Sequence, residues 1–572
     1  MKKLLPLYIN RLSPCYSRDH LGNHGCYARN DIPRFLHLTA LGRFDEAFYV
    51  LKETNPFSSG CGRFCDHPCE TACNRTKYDQ PVDIKALERF VSDAGYEKGL
   101  KPKMTGEAKD KKIAIVGSGP AGLSSAYFLA RCGYRVEVFE KHEVAGGLLT
   151  EGIPAYRYPR DVFEKELAFI KETGVVIHTC ANINKESFKD LAGNYDAVIV
   201  ATGAHKPGEL GIEGEQLDGV ENGIAFLKKV NLGQFEKLGI KKGEKIGVIG
   251  GGYTAMDVVR CAVRLGAEPT MVYRRTSAEM TAHQGEVEET KREGVKFKFL
   301  RSPLKIEKTE DALRLTVQKM KLGPVDESGR SKPVAVYGET ETYHFDRIVL
   351  AIGDKPDLFF VGEKFTVDFP RMICRDLPED VQSKIFITGD AAMGATDNTG
   401  MVVRVVGLAQ DTVKSVREYL GETVETDKNR KTAFYNTLNT KYFEKSGRLI
   451  EETVPLEKRN GNFDEIVKTV DADLAQLMAG RCFNCGICIQ CDWCWHYSDG
   501  SLIKLDREWT PEKDAFYYEF LTEKVSDATF KSVEACPRAA LSISSAGSAT
   551  ESLREEQYIT KSELEGGNRY DN

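Results

Sequence analysis

No apolar run in the 572 residues approaches the ~20 that a bilayer-spanning helix needs, so no membrane span is expected. The opening, MKKLLPLYIN, carries two lysines but too short an apolar stretch for a signal-peptide core. The expected compartment is therefore the cytoplasm, where thiols stay reduced. An excess of one charge is missing too. Lys and Arg number 79 against 85 Asp and Glu, and the net charge of -6 gives no footprint for nucleic acid or a membrane surface. The middle of the chain is poor in cysteine: between Cys73 and Cys482 there are only Cys132, Cys180, Cys261 and Cys374, all isolated and read as small buried hydrophobes. No C-x2-C pair lies there, which argues against an enzyme working through a redox-active dithiol. What remains is globular in composition, 41% hydrophobic and 29% charged, and too long for one core, so three or more domains are expected.

The strongest signal runs from Lys111 to Glu140, KKIAIVGSGPAGLSSAYFLARCGYRVEVFE. The apolar run Ile113 to Val116 predicts a buried parallel strand, the following stretch an amphipathic helix, and Val136 to Phe139 a second strand ending on Glu140. The three glycines serve different physical ends. Gly117 permits the tight turn, Gly119 lets backbone approach a pyrophosphate, and Gly122 lets helix and strand pack closely. The helix N-terminus at Pro120 and Ala121 directs free N–H groups at phosphate, and Glu140 accepts from a ribose diol.

The pattern returns in EKIGVIGGGYTAMDVVRCAVRLGAEPTMVYRRT, with a strand Ile246 to Ile249, then Gly250, Gly252 and Ala255, a helix, and a strand Thr270 to Val272. Gly117 to Glu140 and Gly250 to Tyr273 are both 23 residues apart. In place of the acid stand Tyr273, Arg274 and Arg275, and arginine favours a 2′-phosphate where a carboxylate would repel it. The second site is therefore expected to take NADP(H) in preference to NAD(H). One charge-assisted contact of ~1.5–3 kcal/mol corresponds to a preference of roughly 10- to 100-fold.

The two ends hold the other cysteines, six between Cys15 and Cys73 and six between Cys482 and Cys536. In NPFSSGCGRFCDHPCETACNR, Cys61, Cys65, Cys69 and Cys73 recur every fourth residue, with Cys26 upstream. Four thiolates suit zinc or an iron–sulfur cluster, and the C-x3-C spacing favours the cluster over the C-x2-C knuckles of structural zinc.

That segment, the two glycine motifs and a later GD motif resemble the glutamate synthase small-subunit family over most of residues 20–420. The resemblance implies an N-terminal helical iron–sulfur domain followed by FAD and NADPH domains. Family members usually carry two N-terminal clusters with shared ligands; here the first cysteine group is reduced to Cys15 and Cys26. What the resemblance implies is one 4Fe–4S cluster on Cys26, Cys65, Cys69 and Cys73, with Cys61 the competing ligand. It also implies that Gly147 and Leu148, in AGGLLTEGIPAYRYPRD, line the flavin. Thr202 and Gly203 lie where such flavoproteins cross into the second nucleotide domain, and FDRIVLAIGDKPD, with Gly353, is the return crossing. In KIFITGDAAMGATDNTGMVVRVVGLAQ, Gly389 and Asp390 bind the ribitol, and the helix opening at Val402 faces the ring. Lys141, Tyr253 and Thr254 complete the candidate cofactor residues. The family pattern has asparagine where this chain has Tyr253.

Near the C-terminus, Cys482, Cys485, Cys488, Cys491 and Cys494 fall every third residue and Cys536 precedes Pro537. Aligned to the C-x2-C-x2-C-x3-C-P run of two-cluster ferredoxins, all ligands of one cluster are present and all of the other are missing. Cys488, Cys491, Cys494 and Cys536 are the expected ligands of a second 4Fe–4S cluster. Cys482 and Cys485 stay open as a zinc knuckle, an alternative pair or a contact to a partner's cluster.

The expected fold is α/β: two Rossmann-like dinucleotide domains, an N-terminal α-helical iron–sulfur domain and a C-terminal ferredoxin-like α+β domain. The expected boundaries are 1–105 for the helical iron–sulfur domain, 106–230 and 348–425 for a split FAD domain, and 231–347 for an inserted NADPH domain. A helical connector at 426–480, the ferredoxin-like domain at 481–545 and an acidic tail at 546–572 follow. No catalytic side chain is assigned, because hydride and electron transfer ask for geometry rather than acid–base groups. The expected activity is exchange of a hydride between NADP(H) and FAD, with single electrons passed through the clusters to or from ferredoxin or iron–sulfur or flavin partner subunits. Candidate settings are an electron-splitting transhydrogenase, a glutamate synthase small subunit, or a wiring subunit of another reductase.

Overall fold

The computed structural model describes residues 4–8, 12–16, 25–326, 329–396, 400–424, 432–449, 451–486, 491–504, 518–520, 531–532, 535–539 and 541–545. They divide into two compact units, one made of 103–416 with 452–468, the other of 1–102, 417–451 and 469–572.

In the first unit, two sheets form around central parallel strands that are apolar and buried on both faces, Ala197–Val200 and Lys112–Val116 in one, Lys245–Ile249 and Arg347–Leu350 in the other. A seven-stranded sheet runs in the order Phe365–Asp368, Arg371–Cys374, Ile385–Ile387, Ala197–Val200, Lys112–Val116, Arg135–Phe139, Val176–His178. Ile113 lies opposite Val136 and Val116 opposite Phe139, so the first glycine turn sits at the carboxyl edge of two adjacent parallel strands. A five-stranded parallel sheet runs Lys296–Phe299, Glu268–Tyr273, Lys245–Ile249, Arg347–Leu350, Val220–Asn222. Its outer members move the expected boundaries. Val220–Asn222 and Arg347–Leu350 pair with each other, and the latter pairs with the second glycine strand, so the inserted domain begins before 231 and ends after 347. Their short apolar runs read equally well in either sheet, and pairing decides. The insertion also carries a three-stranded antiparallel meander, Arg301–Lys308, Leu313–Val325 and Ser331–Phe345. The two crossings pair as strands Ala204–Pro207 and Asp354–Pro356.

The second unit contains both ends of the chain. The amphipathic stretch after Asp31 forms two helices, Ile32–Ala40 and Phe44–Thr54, separated at Gly42, whose φ of +73° an L side chain rarely adopts. Asp31 caps the first by accepting from the Arg34 N–H at 3.3 Å. Helix Ser58–Phe64 crosses helix Ile84–Glu97 at Gly62, where a Cβ would stand 2.5 Å from the Arg89 nitrogen. Among its described residues the expected helical connector is mostly irregular. Its described residues give 3-10 turns at Tyr435–Thr437, Thr440–Tyr442 and Leu456–Lys458 before one α-helix, Ala472–Gly480. Pro455 and Gly461 interrupt any helical repeat there. In the expected ferredoxin-like region the described elements are a short helix, Trp493–His496, and the paired strands Leu502–Lys504 and Tyr518–Phe520. The strand Leu541–Ser545 pairs antiparallel with Leu4–Tyr8. Among the described residues no helix is long and apolar enough to cross a membrane.

Candidate active site: two dinucleotide cradles and the cysteine groups

Gly117 has φ +104°, and a Cβ on it would stand 2.5 Å from the Ala201 carbonyl oxygen; a Cβ on Gly122 would meet the Gly117 oxygen at 2.0 Å. Only glycine lets the turn close on the neighbouring strand. Gly119 differs, since nothing lies within 4 Å of the Cβ it lacks. That space opens at the N-terminus of helix Pro120–Arg131, where N–H groups favour phosphate. Gly147, with φ +53°, borders it: its Cβ would stand 3.0 Å from the Gly119 Cα. Leu148 begins a short helix, Leu148–Glu151, and Lys141 is exposed beside Glu140.

Glu140 is buried, and one carboxylate oxygen accepts from the Ser118 N–H at 3.0 Å and the Ser118 hydroxyl at 2.6 Å. The other accepts from the His142 N–H at 2.9 Å. A carboxylate has about four acceptor sites, so capacity for a ribose diol remains. The Thr202 hydroxyl is buried without a partner at the crossing, and so is that of Thr388 beside Gly389. Gly389 packs on the same helix, where its Cβ would stand 2.5 Å from that of Ala121. This brings Asp390 to the first glycine turn. Burial raises the Asp390 carboxyl above its ordinary range, against the Gly400 N–H, which donates to it at 2.6 Å. Val402 opens the helix Val402–Tyr419. A cradle without a side chain, orphaned buried hydroxyls and a buried acid fit FAD: Gly117, Gly119 and Gly147 would flank its pyrophosphate, Glu140 its ribose and Asp390 its ribitol.

The second cradle repeats the first. Gly250 has φ +153°, its Cβ would meet the Ala351 oxygen at 2.2 Å, and Ala255 is wholly buried beside it. Gly252 caps helix Tyr253–Arg264, on whose first turn Thr254 lies. Tyr253 accepts through its hydroxyl from the His283 N–H at 3.1 Å, and the Arg157 guanidinium stands 5.4 Å from its ring centre. Gly353, φ +95°, accepts from the Gly208 N–H at 3.0 Å where the crossings pair. The two arginines part company. Arg274 is exposed, whereas Arg275 is buried and held by the meander, its Nη2 2.5 Å from Asp326 and its Nε donating to the Ser331 oxygen at 2.8 Å.

Two features of this cradle go beyond the glycine pattern. A Cβ on Gly251 would meet the Tyr273 ring at 2.4 Å, and the run of three glycines is the signal for that packing. Arg157 reaches Asp257 on the second helix at 2.9 and 3.0 Å. No local pattern announces that pair.

None of the described cysteines is in a disulfide. Cys26, Cys61 and Cys69 are buried and Cys65 half-buried. Burial raises the Cys69 thiol well above its ordinary range, with Cys26, Glu70 and Cys65 acting in the same direction, and Cys65 is raised by burial and by Cys61. Cys65 thus faces Cys61 and Cys69, and Cys69 faces Cys26, whereas burial raises the Cys73 thiol with Glu70 acting in the same direction and Arg75 against it. Cys491 is exposed, Cys494 buried and Cys536 half-buried. Cys488 lies outside the described residues. Among the described residues no three His, Cys, Asp or Glu groups are gathered tightly enough for a single metal ion.

Paired dinucleotide cradles joined by a double crossing define a flavin- and pyridine-nucleotide-dependent oxidoreductase of the two-dinucleotide class. The family model "Pyridine nucleotide-disulphide oxidoreductase" matches residues 111–410, and the model "Dihydroprymidine dehydrogenase domain II, 4Fe-4S cluster" matches 10–100. The chain is 34% identical over 516 residues to the NADP(+)-dependent formate dehydrogenase subunit beta of Moorella thermoacetica, covering 83% of this chain and 70% of that one. It is 37% identical over 369 residues to the NADPH-Fe(3+) oxidoreductase subunit beta of Geobacter sulfurreducens, 63% of this chain and 53% of that one. With the glutamate synthase [NADPH] small chain of Halomonas elongata the identity is 33% over 427 residues, 70% of this chain and 89% of that one. The chain belongs to the pyridine nucleotide-disulphide oxidoreductase family, in the group of iron–sulfur flavoproteins that includes the glutamate synthase small subunit.

Proposed function

We propose that this chain is an electron-transferring subunit that joins NADP(H) to one-electron carriers through FAD and 4Fe–4S clusters. The observation that carries the reading is the pairing of two glycine cradles in one unit with two cysteine-rich ends in the other. FAD, when bound, exchanges a hydride with the nicotinamide and releases electrons singly. The residues of this chain supply position and exclusion of water. Gly119 and Gly147 leave room for the pyrophosphate, Thr202 offers a hydroxyl with no other partner, and Arg274 stands exposed after the second strand.

One cluster is assigned to Cys26, Cys61, Cys65 and Cys69, so that Cys61 takes the place that the family resemblance gives to Cys73. The ferredoxin-like C-terminal module, with Cys488, Cys491, Cys494 and Cys536, holds another. Ferredoxin or a partner redox subunit is the acceptor or donor, in a cytoplasmic complex, and an electron-splitting transhydrogenase is one such setting. The glutamate synthase small subunit is the second reading, favoured by the Halomonas likeness, but the C-terminal cysteine series lies beyond the ordinary small subunit. Anaerobic purification tests the proposal. A brown protein with one FAD, about eight or more iron atoms per chain and NADPH-dependent dye reduction is expected. A colourless protein free of iron and flavin overturns it.

A further inference from the structure

Cys482 and Cys485 lie more than 400 residues from Cys15 and Cys73, yet the structure brings the two pairs together. The loop Arg481–Cys485 is docked on the N-terminal helical module by contacts on every side. Arg75 donates to the Arg481 carbonyl oxygen and stands 5.0 Å from the Phe483 ring centre. Arg481 in turn donates to the Gln80 oxygen at 2.8 Å and the Pro81 oxygen at 3.1 Å. Asn484 donates to the Pro33 oxygen at 2.8 Å, and Ser13 donates to the Cys485 carbonyl. Phe483 fills the core of this junction, 2% exposed, against Tyr78 and Phe443.

The sulfurs are presented as ligands are. Asn484 takes a left-handed conformation, φ 50°, which asparagine tolerates, and this turns its N–H onto the Cys482 sulfur at 3.3 Å. Asn74, next to Cys73, donates to the Cys485 sulfur at 3.3 Å. N–H groups aimed at sulfur stabilise the thiolate form and tune a bound cluster. Ser13, which holds the Cys485 carbonyl, is two residues from Cys15, and Asn74, which holds the Cys485 sulfur, adjoins Cys73, so the four cysteines converge on one junction.

We infer that Cys15, Cys73, Cys482 and Cys485 are the ligands of a further 4Fe–4S cluster, built half from each end of the chain. Four cysteine sulfurs form the donor set such a cluster takes. Cys15 and Cys73 both fall inside the segment matched to a 4Fe–4S domain, which favours iron–sulfur over zinc. The C-x2-C at the far end then supplies what the depleted first cysteine group lacks. The site adjoins the Cys26 group directly, because the Cys26 N–H donates to the Cys15 oxygen at 2.7 Å. Electrons arriving at one cluster would find the next beside it.

This inference rests on the reading that the chain carries iron–sulfur clusters, and the test separates the two. Iron, acid-labile sulfide, zinc and FAD are measured per chain in the anaerobic, reconstituted full-length protein and in its Cys15→Ala and Cys482→Ala variants. EPR spectra are recorded after dithionite reduction. The expected wild-type iron content is about twelve atoms, three four-iron clusters. Each variant should lose about a third of it, together with one EPR component, while keeping its FAD. Iron near eight that neither variant lowers overturns this cluster but leaves the functional reading standing, as does one zinc per chain lost in the variants. Absence of iron from the wild type overturns both. If one variant fails to fold, as its lost FAD would reveal, the other and Cys485→Ala decide.

Discussion

The two glycines of the first turn look alike in sequence but differ in what surrounds them. Gly117 is required by the protein itself, since a Cβ there would collide with the Ala201 oxygen at 2.5 Å. Gly119 has open space before it and φ −67°, a value any residue adopts. Gly119→Ala is therefore expected to leave the melting temperature of the flavin-free protein within about 1–2 °C while weakening FAD retention at least tenfold. Gly117→Ala should lower both. Thermal melts and flavin titration of the apoprotein measure the two effects, and equal losses of melting temperature would refute the distinction. The adjacent arginines divide in the same way. Arg274→Ala should cut the ratio of NADPH to NADH kcat/KM by roughly 10- to 100-fold, the value of one arginine–phosphate contact. Arg275→Ala removes the Asp326 and Ser331 contacts and should cost about 1.5–3 kcal/mol of stability with little change in that ratio. A large ratio change in Arg275→Ala alone would reverse the assignment. The sequence pattern locates this pair because strand, turn and helix are local. It does not divide their roles, because Asp326 belongs to a hairpin some fifty residues on, and only pairing brings it back.

Among the elements, the second glycine helix is fastened at its far end by ions. Glu293 receives Arg264 at 2.7 and 2.9 Å and Arg260 at 3.0 and 3.1 Å, and Arg459, from segment 452–468, joins at 3.1 Å. Burial pushes the Glu293 carboxyl up, but hydrogen bonds from Arg264 and Arg260 outweigh it and hold the group at about 2, against an ordinary 4.5. A depressed carboxylate contributes stability above its unfolded value and loses it as pH falls through the folded one. Glu293→Gln leaves buried guanidinium groups short of a partner and should cost about 3–5 kcal/mol near neutrality. The gap between wild type and variant should narrow as pH falls from 4.5 towards about 2. Denaturant unfolding at stepped pH measures this, and a gap independent of pH would show that the carboxylate charge is not what holds the helix. In sequence this helix is marked by its apolar face. The burial of the three arginines and the acid has no local signal there, since it depends on segment 452–468 returning to cover them. That segment lies in the expected helical connector, and its lack of periodicity is consistent with packing set by Arg459 and Phe463 rather than by helix propensity.

At the scale of the whole molecule, what reads in sequence as two separate terminal modules is one compact unit. Cysteine spacing is a local quantity, so it exposes each group but not their union. The union depends on Asn74, Arg75 and Arg481, whose partners lie about 360 to 410 residues away. Cleavage of the chain between the two ends probes that union directly. A site-specific protease sequence inserted between Leu100 and Lys101, ahead of the exposed linker, cuts the only peptide connection of residues 1–100 to the rest. If the ends form one unit, the two fragments separate on a denaturing gel yet elute together under native conditions, because Arg75, Arg481, Asn484 and buried Phe483 still join them. Iron and flavin contents should match those of the uncut protein. The additional change Arg481→Ala removes donors to Gln80, Pro81 and Ser446 and should release the N-terminal fragment from the nicked protein while leaving the uncut chain intact. Elution of the N-terminal fragment alone, with its iron, from nicked wild type would mean that the termini fold as independent modules, and the cross-terminal cluster would fall with that result.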